Sequence, residues 1–239
     1  MPVTGQNTRS TEIITGIFSL FAGLSIIATI LTRFEFVSFF SSFSEDLEYL
    51  TDNIFLLRIN SIIWLVTALI LTVSASTFIV LLNPYHRLFS WMTGFFLILA
   101  AAMICVSGIK GFTIIDILGN FRDLNLGSSD ALKVSIFSLA REKDMYIITS
   151  YTLLGLAFIS LAAFTFRTRR LSIFTGSVSL VTGIILPFFT ALVPESLPSD
   201  IGLVAGFITF LIIGMRLLFS GLEKKRRNAV YIEKPENKP

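Results

Sequence analysis

The chain's 239 residues are 54% hydrophobic and only 15% charged, and a mean hydropathy of +0.80 lies outside the composition of soluble globular domains. The formal charge is +3, and one cysteine, Cys105, with one histidine, His86, excludes an intramolecular disulfide and any Cys/His metal cluster within a single chain. Phe contributes 24 aromatic residues against 2 Trp and 5 Tyr, apolar volume that suits lipid better than water.

A helix needs about 20 apolar residues to cross the hydrocarbon with its backbone satisfied. Six stretches meet that length: Ile13 to Leu31, Ile59 to Leu82, Leu88 to Ile109, Met145 to Phe166, Leu171 to Val193 and Ile201 to Phe219. The first exceeds the roughly 7 to 15 apolar residues of a secretory signal core and is followed by Phe34, Phe36, Phe39 and Phe40 rather than a cleavage site, so it reads as a true span. Along it Thr15, Ser19 and Ala22, with Gly16 and Gly23, form one small-residue side that lets another helix approach closely.

The loop after span one carries Phe36, Phe40, Phe43, Leu47 and Leu50 at helical spacing, interleaved with Glu45, Asp46, Glu48 and Asp52. That pattern predicts an amphipathic helix packed on the end of the bundle. The three acids Glu45, Asp46 and Glu48 read as a solvated face rather than a cation site. Span two bears Asn60, Thr67 and Ser74 at seven-residue intervals, again a packing stripe. Spans two and three are joined by the tight turn Asn83-Pro-Tyr-His-Arg87.

Lys110 and Gly111 predict the end of span three. The segment from Lys110 to Asp144 is too long to be structureless, and two short amphipathic helices are predicted within it. One carries Phe112, Ile115, Leu118 and Phe121 and is broken by Gly127; the other, capped by Ser128 or Ser129, carries Leu132, Ile136 and Leu139. Together the two long loops make a cap over one end of the bundle.

Pro187 inside span five removes a backbone donor, frees the carbonyl of Gly183 and predicts a kink, a matter of shape or the lining of a pocket. Gly202 and Gly206 give a GxxxG in span six. No ionisable residue falls near the middle of a span, and Arg216, one turn from the end of span six, can extend to the interface. The tail after Leu222 opens with Lys224, Lys225, Arg226 and Arg227, a topology anchor or a contact for anionic lipid. The organisation predicted is therefore one transmembrane domain over residues 1–222 and a basic cytoplasmic tail over 223–239.

With the N-terminus inside, 12 of the 19 basic residues lie on the inner side, while the other 7 share the outer loops with 12 of the 16 acids. Basic loops are retained in the cytoplasm, which predicts a multi-pass protein of the cell membrane with both termini cytoplasmic.

GxSxG, HExxH, GxxxxGK[ST] and GxGxxG are all absent. No catalytic residue, cofactor or metal site is expected, and the partners expected are the bilayer and other membrane proteins, with no nucleic acid. Proton-coupled carriers, voltage sensors and haem or di-metal proteins are disfavoured, because each needs ionisable or ligating groups within the spans.

The segment Ile13-Ile-Thr-Gly-Ile-Phe-Ser-Leu20, the Leu56-Leu-Arg-Ile59 entry into span two, and six spans with longer loops after the first and third resemble an uncharacterised prokaryotic membrane family, domain of unknown function 4386. The resemblance covers most of the chain by layout. It implies six helices in a prokaryotic cell membrane and transfers no activity or site residue. Two functions remain in view: a non-catalytic accessory or scaffold component, and a carrier or binding protein for a neutral or lipidic small molecule. An enzyme ranks below both.

Overall fold

A computed structural model of the protein describes residues 5–32, 52–124, 130–192 and 197–232. The described residues fold into six helices and contain no strand: α1 Gly5–Leu31, α2 Ile54–Leu82, α3 Arg87–Leu124, α4 Asp130–Thr168, α5 Ile173–Leu192 and α6 Leu197–Ile232. Five of them carry stretches long and apolar enough to cross a membrane: Arg9–Thr29, Ile54–Leu82, Arg87–Asn120, Val134–Thr168 and Ile201–Glu223. The apolar stretch of α5, Ile173–Phe189, is shorter.

Each helix packs on its neighbours in sequence, and α1 packs on α6, closing the six into a ring. The small-residue side of α1 makes that closure possible. A Cβ built on Gly16 would stand 2.9 Å from the Gly214 carbonyl oxygen, and one on Gly214 would stand 2.9 Å from that of Gly16, so the two backbones touch and only glycine fits. The Asn60, Thr67, Ser74 stripe turns toward α1, where Ser74 Oγ donates to the Phe18 carbonyl at 3.1 Å. Phe158 of α4 meets Phe210 of α6 edge-on at 5.0 Å, and both rings are buried in the main apolar core.

The ends of α2 and α3 follow from the Pro84 turn. Pro84 cannot continue the hydrogen-bond ladder, so α2 stops at Leu82, and the chain reverses with the Tyr85 and His86 amides donating to the Leu82 carbonyl at 3.0 and 3.1 Å. Ser90 Oγ, one turn into α3, donates to the Ile79 carbonyl at 2.9 Å, which also accepts from the Asn83 amide at 3.0 Å, and so ties the start of α3 to the end of α2.

The segment after span three departs from the sequence expectation. Lys110 and Gly111 do not end the helix: α3 runs through both to Leu124, and α4 begins at Asp130 and continues unbroken into span four. In place of two separate short helices, the spans themselves extend into a hairpin. The reason is burial: Ile114, Ile115 and Leu118 of α3 pack with Ile136 and Ala140 of α4 and Leu57 of α2 in a second apolar cluster. One helical glycine costs about 1 kcal/mol, less than burying any one of those branched side chains returns. Ser128, Ser129 and Gly127 lie outside the described residues, as does the amphipathic helix expected in the loop after span one. The segment following Leu222 continues α6 as far as Ile232.

Candidate functional site

Buried ionisable groups in a membrane bundle are costly and mark functional or specifying positions. Two such groups stand at opposite ends of this one.

Lys143 of α4 is 3% exposed. Its side chain passes over Gly111 of α3, whose built Cβ would lie 3.9 Å from Lys143 Cε and would overlap Ser61 Oγ. The ammonium then donates to Asn60 Oδ1 at 3.2 Å. Asn60, 1% exposed, serves three elements. Its Oδ1 also accepts from Trp64 Nε1 at 2.9 Å, and its Nδ2 donates to the Thr32 carbonyl at 2.8 Å, just beyond the end of α1. Trp64 in turn lies 6.4 Å from the Tyr151 ring. A single amide thus links α1, α2 and α4, with every polar atom of its side chain engaged.

At the other end Glu12 of α1 is 2% exposed. Arg170, in the α4–α5 connection, donates Nη2 to Glu12 Oε1 at 2.8 Å, and its guanidinium lies 4.9 Å over the Tyr85 ring from the α2–α3 turn. Ser220 Oγ of α6 donates to Glu12 Oε2 at 3.4 Å. The backbone permits this because Arg169 adopts φ 51, a left-handed residue that ends α4 and turns Arg170 inward. α1, α6 and the α4–α5 connection meet at this carboxylate, and the α2–α3 turn reaches the arginine that holds it.

Neither cluster was marked by motif. Lys143 and Arg170 counted as loop charges, and Glu12 preceded the first apolar run. The signal available was periodicity: Lys143 shares a buried stripe with Ile136, Ala140, Ser150 and Leu154, and Glu12 shares one with Thr15, Ser19 and Ala22.

Of the residues singled out from sequence, Pro187 and Gly183 lie together on α5 against α4. A Cβ on Gly155 would come 2.6 Å from Pro187 Cδ and 2.8 Å from the Gly183 carbonyl oxygen, so helix backbone occupies the space beside the proline. Gly202 and Gly206 face Leu186 of α5, each built Cβ lying 3.6 Å from it. Lys224, Lys225, Arg226 and Arg227 lie on the continuous last helix, beginning one turn after Ser220 of the Glu12 cluster. Arg216 is exposed. Among the described residues no group of three or more His, Cys, Asp or Glu is placed to hold a metal ion. Glu45, Asp46 and Glu48 lie outside them.

The arrangement is one of anchorage: buried, hydrogen-bonded charges that fix helix register at both ends of a glycine-sealed ring. No family model, curated protein or solved structure matches the chain.

Proposed function

We propose that the chain is a non-catalytic accessory or scaffold component of the cell membrane, crossing the bilayer six times with both termini in the cytoplasm and using the α3–α4 hairpin as its contact platform. The observation that carries this is the length of the hairpin and its own apolar core. Helices of 38 and 39 residues span about 57 and 58 Å, against about 30 Å of hydrocarbon, and the excess is stiffened by the cluster around Ile115, Leu118 and Ile136. The 20 residues of α5 reach about 30 Å, enough for the sixth crossing, and the inner excess of Lys and Arg supports the orientation. Photo-crosslinking groups at Val134 and Phe137, exposed on the hairpin, should give one discrete protein adduct in intact membranes. A group at Leu69, exposed on the α2 span, should give lipid adducts only. Equal behaviour at the two places would end the scaffold reading, and cysteine labelling with Ser129 inside and Asn228 outside would reverse the topology.

The carrier reading is favoured by one observation. Among the described residues, the buried hydroxyls of Thr67, Ser107 and Ser179 have no hydrogen-bond partner, and an unsatisfied buried hydroxyl costs about 1–3 kcal/mol, which a neutral polar guest would relieve. Changing all three to Val, Ala and Ala should leave glycerol permeation of proteoliposomes unaltered if the scaffold reading holds, and abolish it if the carrier reading does.

A further inference from the structure

We infer that the open groove between α3 and α4 is a binding site for one anionic phospholipid, whose phosphate is held by Arg141 and whose acyl chain lies toward Met103 and Met145. The groove has a volume of about 530 Å³ and runs along α4 from Thr149 to Ser138, about 16 Å at the helical rise. Its two ends differ in chemistry. Along α4, Ser138, Arg141 and Glu142 line the end toward the hairpin tip, Met145 and Tyr146 follow within the next turn, and Thr149 closes the other end, with Met103 facing them from span three. Methionine thioethers adapt readily to a flexible chain. A site that changes from apolar to charged over one lipid's length matches an amphiphile lying parallel to the helices.

The sign of the headgroup comes from which charges are already used. Glu142 is occupied by Lys110, whose Nζ stands 2.6 Å from Oε2. Arg141 is exposed and, among the described residues, has no ion pair or hydrogen bond, whereas the Tyr146 hydroxyl stands within electrostatic reach of Lys110. One uncommitted guanidinium therefore faces the groove while Glu142, its carboxylate among the described residues, is neutralised by a neighbour. Guanidinium binds phosphate with two parallel hydrogen bonds, so the complement is a phosphodiester carrying a net negative charge, and a zwitterionic headgroup would set its own cation against Arg141.

Native mass spectrometry of the full chain, released from detergent doped with equal amounts of phosphatidylglycerol and phosphatidylcholine, tests this. One phosphatidylglycerol should be retained over phosphatidylcholine by about tenfold, the factor that one charge-assisted hydrogen bond supplies. Arg141→Ala should bring the ratio near unity, Arg141→Lys should leave an intermediate value, and Met145→Glu should remove both lipids. Changing Lys224, Lys225, Arg226 and Arg227 together to Ala should leave the preference intact. Equal retention of the two lipids by the unaltered chain, a preference that survives Arg141→Ala, or one that depends on the tail alone would overturn the assignment. So would displacement of the lipid by excess inorganic phosphate, which would show that the acyl chain adds nothing.

Discussion

Lys143 and Gly111 are neighbours: the lysine stem crosses α3 at this glycine, where a built Cβ would stand in contact with Cε at 3.9 Å and would overlap Ser61 Oγ. The packing of α2, α3 and α4 at this level therefore depends on an absent methyl group. Gly111→Ala should lower stability by about 1–3 kcal/mol, the range for an extra methyl in a filled core, despite the better helix propensity of alanine. Because Ser61 Oγ is the overlapping atom and is held by the Leu57 carbonyl at 2.9 Å, Ser61→Ala should recover much of the loss. Thermal unfolding in detergent of the two single variants and the double variant measures this coupling, and strictly additive effects would show that the overlap is relieved elsewhere.

Asn60 and Lys143 should respond unequally to truncation. Asn60→Leu takes from the Lys143 ammonium and the Trp64 indole the acceptor that they share, and it should cost about 3–5 kcal/mol, as when one partner of a buried charged contact is removed. Lys143→Met keeps the aliphatic stem over Gly111, removes the charge and leaves the Trp64 to Asn60 bond intact, so its effect should be below about 1.5 kcal/mol. Trp64 emission offers an independent readout, shifting in the Asn60 variant and not in the Lys143 variant. Equal losses would mean that the ammonium, and not the amide, organises this cluster.

The Glu12–Arg170 pair is asymmetric for a different reason. The carboxylate side chain is 3% exposed and the guanidinium side chain 37%, so only the arginine has ready access to water once the partner is gone. Arg170→Ala, which takes the 2.8 Å partner from a buried carboxylate, should therefore destabilise by about 3 kcal/mol, and Glu12→Gln by clearly less. Combining the two should restore part of the Arg170→Ala loss. A double variant no more stable than Arg170→Ala would place the contribution of Arg170 in its contact with Tyr85 rather than in the ion pair.

The helical class and five of the six expected spans were legible because hydrocarbon imposes a length and an apolar content that few sequences meet by chance. The packing of small residues was legible for the same kind of reason: the Asn60, Thr67, Ser74 interval of seven keeps one face of α2 toward α1. The continuation of α3 past Lys110 was not legible, since a basic residue followed by glycine is the ordinary mark of a span's end, and what overrides it is burial among residues on three helices. The buried state of Lys143 escaped for the same reason. A charge count assigns it to a loop, while the Asn60 acceptor and the glycine that its stem crosses lie distant in sequence. Arg170 required a left-handed Arg169, a conformation that no residue type there announces.

Pro187 and Gly155 should separate shape from function. Gly155→Ala would press its methyl on both Pro187 Cδ and the Gly183 carbonyl oxygen, at 2.6 and 2.8 Å, and the second of these is backbone that a side-chain change cannot remove. The variant should lose about 1–3 kcal/mol, and adding Pro187→Ala should return only part of it. Pro187→Ala alone restores an amide that can donate to the Gly183 carbonyl along α5, which offsets the lost ring contacts and should leave expression and unfolding temperature nearly unchanged. Fluorescence-detected size exclusion with thermal challenge reports both quantities. If Pro187→Ala keeps the fold and the hairpin crosslink intact, the proline only shapes α5. Should it keep the fold but abolish a transport or ligand phenotype, the binding role would belong to the α4–α5 seam, and the accessory reading would give way to the carrier.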